Sequence, residues 1–309
     1  MPTALVTGVA GFIGSNLADA LLDRGYNVRG IDNFATGREQ NLKGLHDAAN
    51  FSFHEMDVRD ADTMADVSTG VDYVFHQAAD SSVPRSIDDP VTTSDVNCTG
   101  TATVIDTARK ADVDTVVVAS SAAVYGSTEQ FPKVESMPEQ PESPYALSKY
   151  YTEKLALQAS DLYDIDTAAL RYFNIFGPRQ DPNGDYAAVI PKFISLMLDG
   201  ERPVIYGDGE QSRDFTFIED AVQANIRAAE GDATGEAFNV GTGGRITVNE
   251  LVDALNDHLG TDLDPVYDDP RPGDVRHSHA DISKAREHLD YEPTVDFATG
   301  LGRTIPYYS

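Results

Sequence analysis

The chain has 309 residues, of which 41% are hydrophobic and 24% are charged, so it is long enough to bury one large core or two adjoining ones. Its formal net charge of −28 produces a negative field that disfavours nucleic acid as a partner. A single cysteine, Cys98, excludes an internal disulfide and a multi-thiolate metal site.

The distribution of charged residues along the chain indicates the character of the protein surface. The acidic residues are spread along the chain, and only seven of the 23 basic residues are Lys. We interpret this pattern as a surface adapted to high salt, where screening shortens repulsion to a few ångströms. Acidity that serves solubility alone is the alternative interpretation.

The hydropathy pattern allows a prediction of where the protein is located in the cell. No run approaches the roughly 20 apolar residues that a membrane-spanning helix needs. The segment MPTALVTG lacks the basic region and the cleavage site of a signal peptide. We therefore expect a soluble, cytoplasmic protein without membrane contacts.

Short apolar runs rich in β-branched residues predict buried strands in the first half of the chain. They lie at about 3–7, 27–31, 72–75, 114–119 and 166–172. Amphipathic stretches between most of these runs predict helices. The clearest lie at about 12–24, 90–111 and 144–163. This alternation predicts an α/β fold with a Rossmann-type, doubly wound parallel sheet.

A glycine-rich turn follows the first strand. The sequence TGVAGFIGSNL places Gly8, Gly11 and Gly14 between that strand and the next helix, with Phe12 and Ile13 among them. Glycine permits the tight turn, and the N–H groups and dipole of the helix N-terminus favour a pyrophosphate. A purely structural turn would also explain three glycines, so the motif depends on its context.

That context includes a carboxylate at the end of the second strand. Asp32 ends VRGID, 18 residues after Gly14. A carboxylate in this position accepts hydrogen bonds from both hydroxyls of an adenine ribose and repels a 2′-phosphate, so we predict NAD rather than NADP. Arg38 complicates the prediction because it lies close in sequence, although it can equally be a surface charge.

The second half of the chain has a looser pattern. After Gly177-Pro178-Arg179 the elements become shorter and are interrupted by Gly and Pro. We expect residues 1–177 to form the NAD-binding domain. Residues 178–309 are expected to form mainly a smaller C-terminal substrate-binding lobe, with some segments that return to the main sheet.

Two groups of residues suggest acid–base chemistry. Tyr145 and Lys149 are four residues apart, so on a helix they share one face, with about 6 Å between their Cβ atoms. A tyrosine with a pKa near 10 needs roughly 4 kcal/mol of phenolate stabilisation to act as a base at neutral pH. Lys149 and the positive ring of bound NAD are the expected sources. Ser120 and Ser121 follow the strand TVVVA, where sites of open α/β sheets form.

Several motifs in one order support a family resemblance. They are TGVAGFIG, the pair Asp57-Val58, HQAADSSVPRS, SSAAVYG, Tyr145 with Lys149, RYFNIFGPRQ and RPGDVRHSHADISKAR. Over essentially the whole chain they resemble the extended short-chain dehydrogenase/reductase family. Within it, they are most similar to the NAD-dependent epimerase/dehydratase group and its UDP-glucose and UDP-N-acetylglucosamine 4-epimerases. The resemblance implies a UDP-sugar substrate and a resident NAD.

The resemblance also implies a reaction and the roles of residues. Tyr145 would remove the proton from the sugar 4-hydroxyl while hydride passes from carbon 4 to NAD, and the keto sugar would rotate and take the hydride back on its other face. Ser121 rather than Ser120 would hold the 4-oxygen, so the catalytic residues are Ser121, Tyr145 and Lys149. The implied cofactor residues are Gly8, Gly11, Phe12, Ile13, Gly14, Asp32, Asn33, Asp57, Val58, Ala78, Ala79, Asn97, Tyr145 and Lys149. The implied substrate residues are Ser121, Asn174, Arg213, Arg271, Asp274 and Ser278.

Some substrate positions have a plainer alternative. The planar guanidinium groups of Arg213 and Arg271 match phosphate oxygens, but the two residues could also be a solvated surface pair. Asn174 could be a loop cap. Ser278 is expected to border the 2-substituent of the sugar, where a small residue leaves room for an N-acetyl group; an exposed loop position with His277 or His279 filling the space is the alternative.

Other reactions remain open on the same scaffold. A dehydratase needs a general acid for the departing hydroxyl, and the related dehydratases carry acids just after the serine or threonine. This chain has Ala122 and Ala123 there, which disfavours dehydration. Decarboxylation of a UDP-uronic acid is the enzymatic alternative, and a dinucleotide-sensing regulator without turnover is the non-enzymatic one.

Quaternary structure and metals leave weaker signals. The stretches at about 90–111 and 144–163 resemble the helices with which family members form dimers, so we expect a homodimer. We predict no metal site, because the seven His residues are scattered and His277 and His279 are expected on opposite faces of an extended segment. His76 is interpreted as strand-end packing near the cofactor.

The charge pattern generates the first testable prediction. The dispersed acidic residues, which give the protein a net charge of −28, repel one another, and salt screens this repulsion. The melting temperature should therefore rise as the KCl concentration increases from millimolar to molar. Thermal unfolding measured at a series of KCl concentrations checks this. A flat or falling melting temperature would refute adaptation to salt.

Overall fold

A computed structural model describes residues 1–183, 188–231, 234–270 and 275–309. Among these residues no helix is both long enough and apolar enough to cross a membrane. Strands and helices alternate through the first 172 residues, and shorter strands with further helices follow.

The strands are β1 Thr3–Thr7, β2 Asn27–Asp32, β3 Phe51–Glu55, β4 Tyr73–His76, β5 Thr115–Ser121, β6 Asp166–Tyr172, β7 Asn174–Phe176, β8 Val204–Tyr206, β9 Ser212–Arg213, β10 Phe215–Phe217, β11 Glu236–Val240, β12 Ile246–Thr247, β13 Val266–Asp268 and β14 His277–Ser278. The helices are α1 Phe12–Asp23, α2 Ala61–Ser68, α3 Val83–Asp88, α4 Pro90–Ser94, α5 Gly100–Lys110, α6 Pro144–Leu162, α7 Val189–Leu198, α8 Ile218–Glu230, α9 Val248–Leu259, α10 Ser283–Leu289 and α11 Phe297–Thr304. A five-residue π-helical turn, Asp95–Thr99, joins α4 to α5.

The main sheet is parallel, with the strand order β3-β2-β1-β4-β5-β6-β11 in the described part of the chain. This order confirms the predicted doubly wound Rossmann-type sheet. The chain order reverses between β1 and β4, which are neighbours in the sheet. Ligands of open α/β sheets bind at the carboxyl ends of the strands at such a reversal, so the topology fixes where the site forms.

Two strands of this sheet were not among the predicted runs. In β3, FSFHE, apolar and polar residues alternate, and all five residues are partly or fully exposed, as expected for the edge strand. The strand β11 lies in the second half of the chain, at residues 236–240, and pairs with β6 on the other edge. Residues beyond position 177 therefore return to the main sheet.

The sheet separates two apolar layers. Along β1, Ala4 and Val6 face the layer that contains residues of α1 and α8, whereas Leu5 faces the layer that contains residues of α2, α5 and α6. This alternation follows from the two-residue period of a strand. Both faces of the sheet are covered by helices, which explains why its inner strands are almost continuously apolar.

The shorter strands are tied together by one buried carboxylate. Among them, β9 lies between β12 and β14, β8 pairs with β13, and β7 pairs with β10. Asp214, which is fully buried, accepts hydrogen bonds from the N–H groups of Thr242 (2.8 Å), Gly243 (3.1 Å) and Ala280 (3.1 Å). These bonds fix the segments that follow β11 and β14 beside β9.

Candidate active site

The glycine-rich turn has the geometry that a pyrophosphate requires. Gly8 has φ +69°, in the left-handed region that favours glycine. A Cβ on Gly14 would lie 2.2 Å from the Gly8 carbonyl oxygen, so the turn can close only around glycine. Gly11 is the N-cap of α1 and its helix has no side-chain cap, which leaves the helix N-terminus for a bound anion.

Asp32 lies at the carboxyl end of β2 and is 8% exposed. Its two oxygens accept hydrogen bonds from the N–H groups of Ala10 (3.0 Å) and Phe34 (2.8 Å). Burial raises the pKa of Asp32, while these backbone hydrogen bonds lower it. Each carboxylate oxygen retains capacity for one more donor, as ribose binding requires.

Asn33, Asp57 and Val58 lie beside Asp32 on the neighbouring strand ends. The Asn33 amide donates to Asp57 Oδ2 at 2.9 Å, and Arg59 forms an ion pair with the same carboxylate at 2.6 Å. Arg59 is the main reason that the pKa of Asp57 is lowered to about 2. Val58 is 6% exposed and packs against Gly100. A Cβ on Gly100 would lie 2.8 Å from Val58 Cγ2.

These groups line one elongated cavity of about 700 Å³ above the carboxyl ends of the sheet. The cavity continues to the catalytic candidates and to β7. The predicted site residues that line it are Gly8, Gly11, Phe12, Ile13, Gly14, Asp32, Asn33, Asp57, Val58, Ala78, Ala79, Ser121, Tyr145, Lys149 and Asn174. The structure therefore brings together residues from the carboxyl ends of β1 to β5, the start of β7, and the helices α1 and α6.

Tyr145 and Ser121 both line the cavity, and their side chains interact. Tyr145 is the second residue of α6, whose first turn is capped by Ser143. Burial raises the pKa of the Tyr145 phenol, a hydrogen bond with the Ser121 side chain opposes this, and the charge of Asp80 raises the pKa further. Tyr145 is therefore a neutral phenol in the chain by itself.

The two neighbouring serines have different partners. Ser121 is the residue whose side chain reaches Tyr145. Ser120 points to the other side of β5 and donates to Glu153 Oε2 at 2.9 Å. Because adjacent strand residues face opposite sides, only Ser121 has its hydroxyl next to the phenol.

Lys149 lies one helical turn after Tyr145 and is 5% exposed. Its Nζ donates to the Ala119 carbonyl oxygen at 2.9 Å. Burial lowers the pKa of Lys149 to about 8, so the ammonium form still predominates at pH 7. Two of the three N–H donors are left for other partners in the cavity.

His76 is not among the residues that line the cavity. Its Nδ1 and Nε2 lie 2.8 Å and 3.1 Å from the hydroxyls of Thr7 and Thr101. Burial and the charge of Lys149 lower its pKa to about 3, so it is neutral at physiological pH. Its partners make it a packing residue of the β4 strand end.

Asn97 is the predicted cofactor residue that the structure places behind the cavity wall. It is 1% exposed, and its side chain bonds the backbone N–H and C=O of Asp80 (2.7 and 3.0 Å) and Ser148 Oγ (2.8 Å). Asp80 itself lines the cavity, and its carboxylate accepts hydrogen bonds from the side chains of Arg85 and Thr93. Asn97 therefore positions Asp80 rather than forming part of the cavity surface.

Besides Ser121, the described substrate candidates lie on the short strands β7, β9 and β14. Asn174 begins β7 and is exposed to the cavity. Arg213 of β9 and Ser278 of β14 are paired in parallel register outside the cavity lining. Arg213 donates to the carbonyl oxygen of Ser212 at 3.0 Å. The last two substrate candidates, Arg271 and Asp274, lie outside the described residues.

The two histidines beside Ser278 correct one expectation. Both rings approach Phe131, with centroids 6.1 Å away for His277 and 6.0 Å away for His279. They therefore share a face, because residues two apart in an extended segment point the same way, and the expected opposite faces were wrong. Among the described residues no group of three or more His, Cys, Asp or Glu could hold a metal ion.

Several cavity residues were missed at the sequence level. Gln77 and Asp80 follow directly after β4, so the rule that located Ser121 at a strand end would also have found them. Arg179 and Gln180 belong to RYFNIFGPRQ, a motif that indicated the family but gave these two residues no role in the site. Tyr172 ends β6, and its hydroxyl lies 3.2 Å from Gln77 Oε1.

The residues fit a dinucleotide. An uncapped helix N-terminus with an obligatory glycine turn suits the pyrophosphate, the Asp32 carboxylate suits the adenine ribose, and Lys149 retains donors for the nicotinamide ribose. The 700 Å³ cavity connects the three positions.

Comparison with known proteins agrees with this geometry. The model of the NAD dependent epimerase/dehydratase family matches residues 4–241. The chain belongs to this family. The resemblance read from the motifs is thereby confirmed, and NAD is its cofactor.

Several similar proteins carry names that refer to UDP-sugars. The UDP-glucose 4-epimerase of Mycolicibacterium smegmatis is 40% identical over 308 residues, 98% of this chain and 97% of that protein. The UDP-N-acetylglucosamine 4-epimerase of Methanobrevibacter ruminantium, solved with UDP-N-acetylmuramic acid, is 41% identical with a TM-score of 0.95 over 99% of this chain and 97% of that one. The Thermotoga maritima UDP-glucose 4-epimerase, solved with UDP-glucose, is 39% identical with a TM-score of 0.94 over 99% and 98%. Less similar relatives, at 34% and 31% identity, are named as a dehydratase and a decarboxylase of nucleotide sugars.

Proposed function

We propose that this chain interconverts the 4-epimers of a UDP-hexose, either UDP-glucose with UDP-galactose or the N-acetylated forms. The observation that supports it best is the Tyr145–Ser121 contact inside the cofactor cavity, with the Lys149 ammonium one turn along the same helix. The relatives named as 4-epimerases point in the same direction.

The proposed mechanism starts with binding at the carboxyl edge of the sheet. Asp32 holds the adenine ribose, the α1 N-terminus faces the pyrophosphate, and Lys149 holds the nicotinamide ribose. Bound NAD supplies reversible hydride transfer at carbon 4 of the sugar. Ser121 donates a hydrogen bond to the 4-oxygen and so orients it toward Tyr145.

The acid–base step belongs to Tyr145. Its phenolate takes the proton from the sugar 4-hydroxyl as carbon 4 is oxidised, and the phenol returns a proton when carbon 4 is reduced on its other face. The chain alone keeps the phenol neutral. The positive charge of the oxidised cofactor, added to that of the Lys149 ammonium, would lower the phenol pKa when the site is loaded.

The residues next to Ser121 favour epimerisation over elimination. The turn Ala122–Tyr125 follows β5, and Ala122 and Ala123 have no proton to donate to a departing hydroxyl. This turn therefore supplies no acid for elimination from a keto sugar, which favours return of the hydride to carbon 4. The same geometry retains every catalytic group, which argues against a sensor without turnover.

We further propose that the substrate lobe is built mainly from residues 178–309. Asn174, Arg213, Arg271 and Asp274 are assigned to the UDP portion by the family resemblance, and Asn174 already faces the cavity. The paired placement of Arg213 and Ser278 supports one continuous binding surface for phosphate and sugar.

We also propose a homodimer. Large apolar side chains are exposed on α3, α4 and α6, where Ile87 is 64%, Val91 77%, Leu147 57% and Tyr151 41% exposed. A second copy would bury this surface, because exposed apolar clusters of this kind mark interaction sites. The molar mass in solution, measured by light scattering, tests this proposal.

Replacing Tyr145 by Phe should nearly abolish epimerisation while NAD stays bound, because only the acid–base oxygen is removed. Ser121→Ala should be milder, by about 10² to 10³ in rate, as for one lost hydrogen-bond donor. The assay incubates each variant with UDP-glucose, UDP-N-acetylglucosamine and UDP-glucuronate and separates the products.

Tyr151→Phe is the matched control, because Tyr151 lies on the same helix and is 41% exposed. It should retain wild-type turnover. A Tyr145→Phe enzyme with near-normal turnover would contradict the mechanism. Bound NAD without conversion of any sugar by the wild-type protein would restore the sensor hypothesis, and release of CO₂ from UDP-glucuronate would favour the decarboxylase.

A separate prediction concerns the width of the sugar pocket and rests on the small size of Ser278. Since serine is small, the wild-type enzyme should accept N-acetylated sugars as well. Ser278→Tyr should cut kcat/KM strongly for acetylated substrates and little for UDP-glucose, because the ring overlaps only the acetyl group. Ser278→Ala is the control and should preserve both activities. Equal losses on the two substrate classes would show that Ser278 does not border the 2-substituent.

A further inference from the structure

The cofactor cavity is lined by a cation, Arg38, as well as by the ribose carboxylate of Asp32. The Asp32 side chain and the Arg38 backbone are both held by hydrogen bonds to one residue, Ala10. The Ala10 N–H donates to Asp32 Oδ2 at 3.0 Å, and the Arg38 N–H donates to the Ala10 carbonyl oxygen at 2.9 Å. Gly37 packs so closely that a Cβ there would lie 2.7 Å from Asp32 Oδ1.

A guanidinium in this position has a specific chemical consequence. Its planar fork matches phosphate oxygens and stays charged at every physiological pH. An arginine close to the ribose carboxylate is the group that accommodates the 2′-phosphate of NADP. Arg38 therefore provides a latent site for the nucleotide that Asp32 repels.

The guanidinium of Arg38 is already occupied by a carboxylate from a distant segment. Its NH2 group pairs with Asp181 Oδ1, 143 residues along the chain. Asp181 also lines the cavity, and the paired side chains are only 29% and 45% exposed. The pair thus lies at the rim of the cavity, where both side chains are still partly open to solvent.

The segment that carries Asp181 is anchored by its own contacts. Asp181 Oδ1 accepts a hydrogen bond from the Asn183 N–H at 2.8 Å. The Gln180 amide donates to the Ile175 carbonyl oxygen at 3.2 Å, and the Gln180 carbonyl accepts from the Tyr308 hydroxyl. The fold therefore holds the carboxylate opposite Arg38 independently of the ion pair.

We propose that Asp181 is a specificity-determining residue for the cofactor, because it occupies the Arg38 guanidinium and cancels its charge. Asp32 still accepts the ribose hydroxyls. NADP is excluded twice, by repulsion from Asp32 and by the absence of an available cation for its 2′-phosphate. Removing the Asp181 charge releases Arg38 and lets NADP compete.

The test measures which nucleotide the protein binds, so it does not depend on the sugar or the reaction. Wild type, Asp181→Asn, Asp181→Glu and the double variant Asp181→Asn/Arg38→Gln are each incubated with equal concentrations of isotope-labelled NAD and NADP. Incubation continues until the bound label is constant. Unbound nucleotide is removed, the protein is denatured, and the bound NADP:NAD ratio is measured by mass spectrometry.

Asp181→Asn should raise the bound NADP:NAD ratio at least tenfold. Asp181→Glu keeps the charge and should retain the wild-type ratio, and the double variant should return to it. An unchanged ratio in Asp181→Asn, or a rise that persists without Arg38, would overturn the proposal. Equal loss of both nucleotides would overturn it too, since Asp181 would then only fasten the segment. If Asp181→Asn does not fold, Asp181→Ser takes its place and is measured in the same way.

Discussion

One buried ion pair holds the catalytic helix against the sheet. Glu153 on α6 and Arg171 on β6 are 0% and 1% exposed, and they form two hydrogen bonds, of 2.6 and 2.9 Å. Burying two charges is expensive unless the geometry is good and the remaining groups are satisfied. Here the hydroxyls of Ser120 and Tyr125 join the network, at 2.9 and 2.8 Å, and Arg171 also forms an ion pair with Glu139 at 2.7 Å.

The position of the reacting groups depends on this contact. Glu153 lies four residues after Lys149, on the same face of α6, and Lys149 lies four residues after Tyr145. The bond from Ser120 to Glu153 fixes the end of β5, which leaves Ser121 on the opposite side, beside Tyr145. The network thus sets the phenol, the ammonium and the serine hydroxyl relative to one another, and one of its members, Ser120, also lines the cavity. The cationic side chains that we propose for substrate binding act locally, because the protein as a whole carries a net charge of −28.

The sequence predicted the parts of this structure that local patterns encode. Runs such as TVVVA gave β5, the 18-residue spacing from Gly14 gave Asp32, and the four-residue spacing gave Tyr145 with Lys149. Patterns of this kind missed β3, because its alternating FSFHE has few apolar residues. They also could not give contacts between distant segments: Arg171 with Glu153, Asn97 with Asp80, and Arg38 with Asp181 depend on which elements the fold brings together.

The fate of the hydrogen at carbon 4 tests the account most directly. Wild-type protein, with its bound NAD, is incubated with UDP-glucose that carries deuterium at carbon 4, and the products are examined by NMR and mass spectrometry. Return of the same hydride predicts UDP-galactose with the deuterium retained at carbon 4, in the absence of added nucleotide. Loss of the deuterium to solvent, or its appearance at carbon 6 of a 4-keto-6-deoxy sugar, would contradict 4-epimerisation by this site.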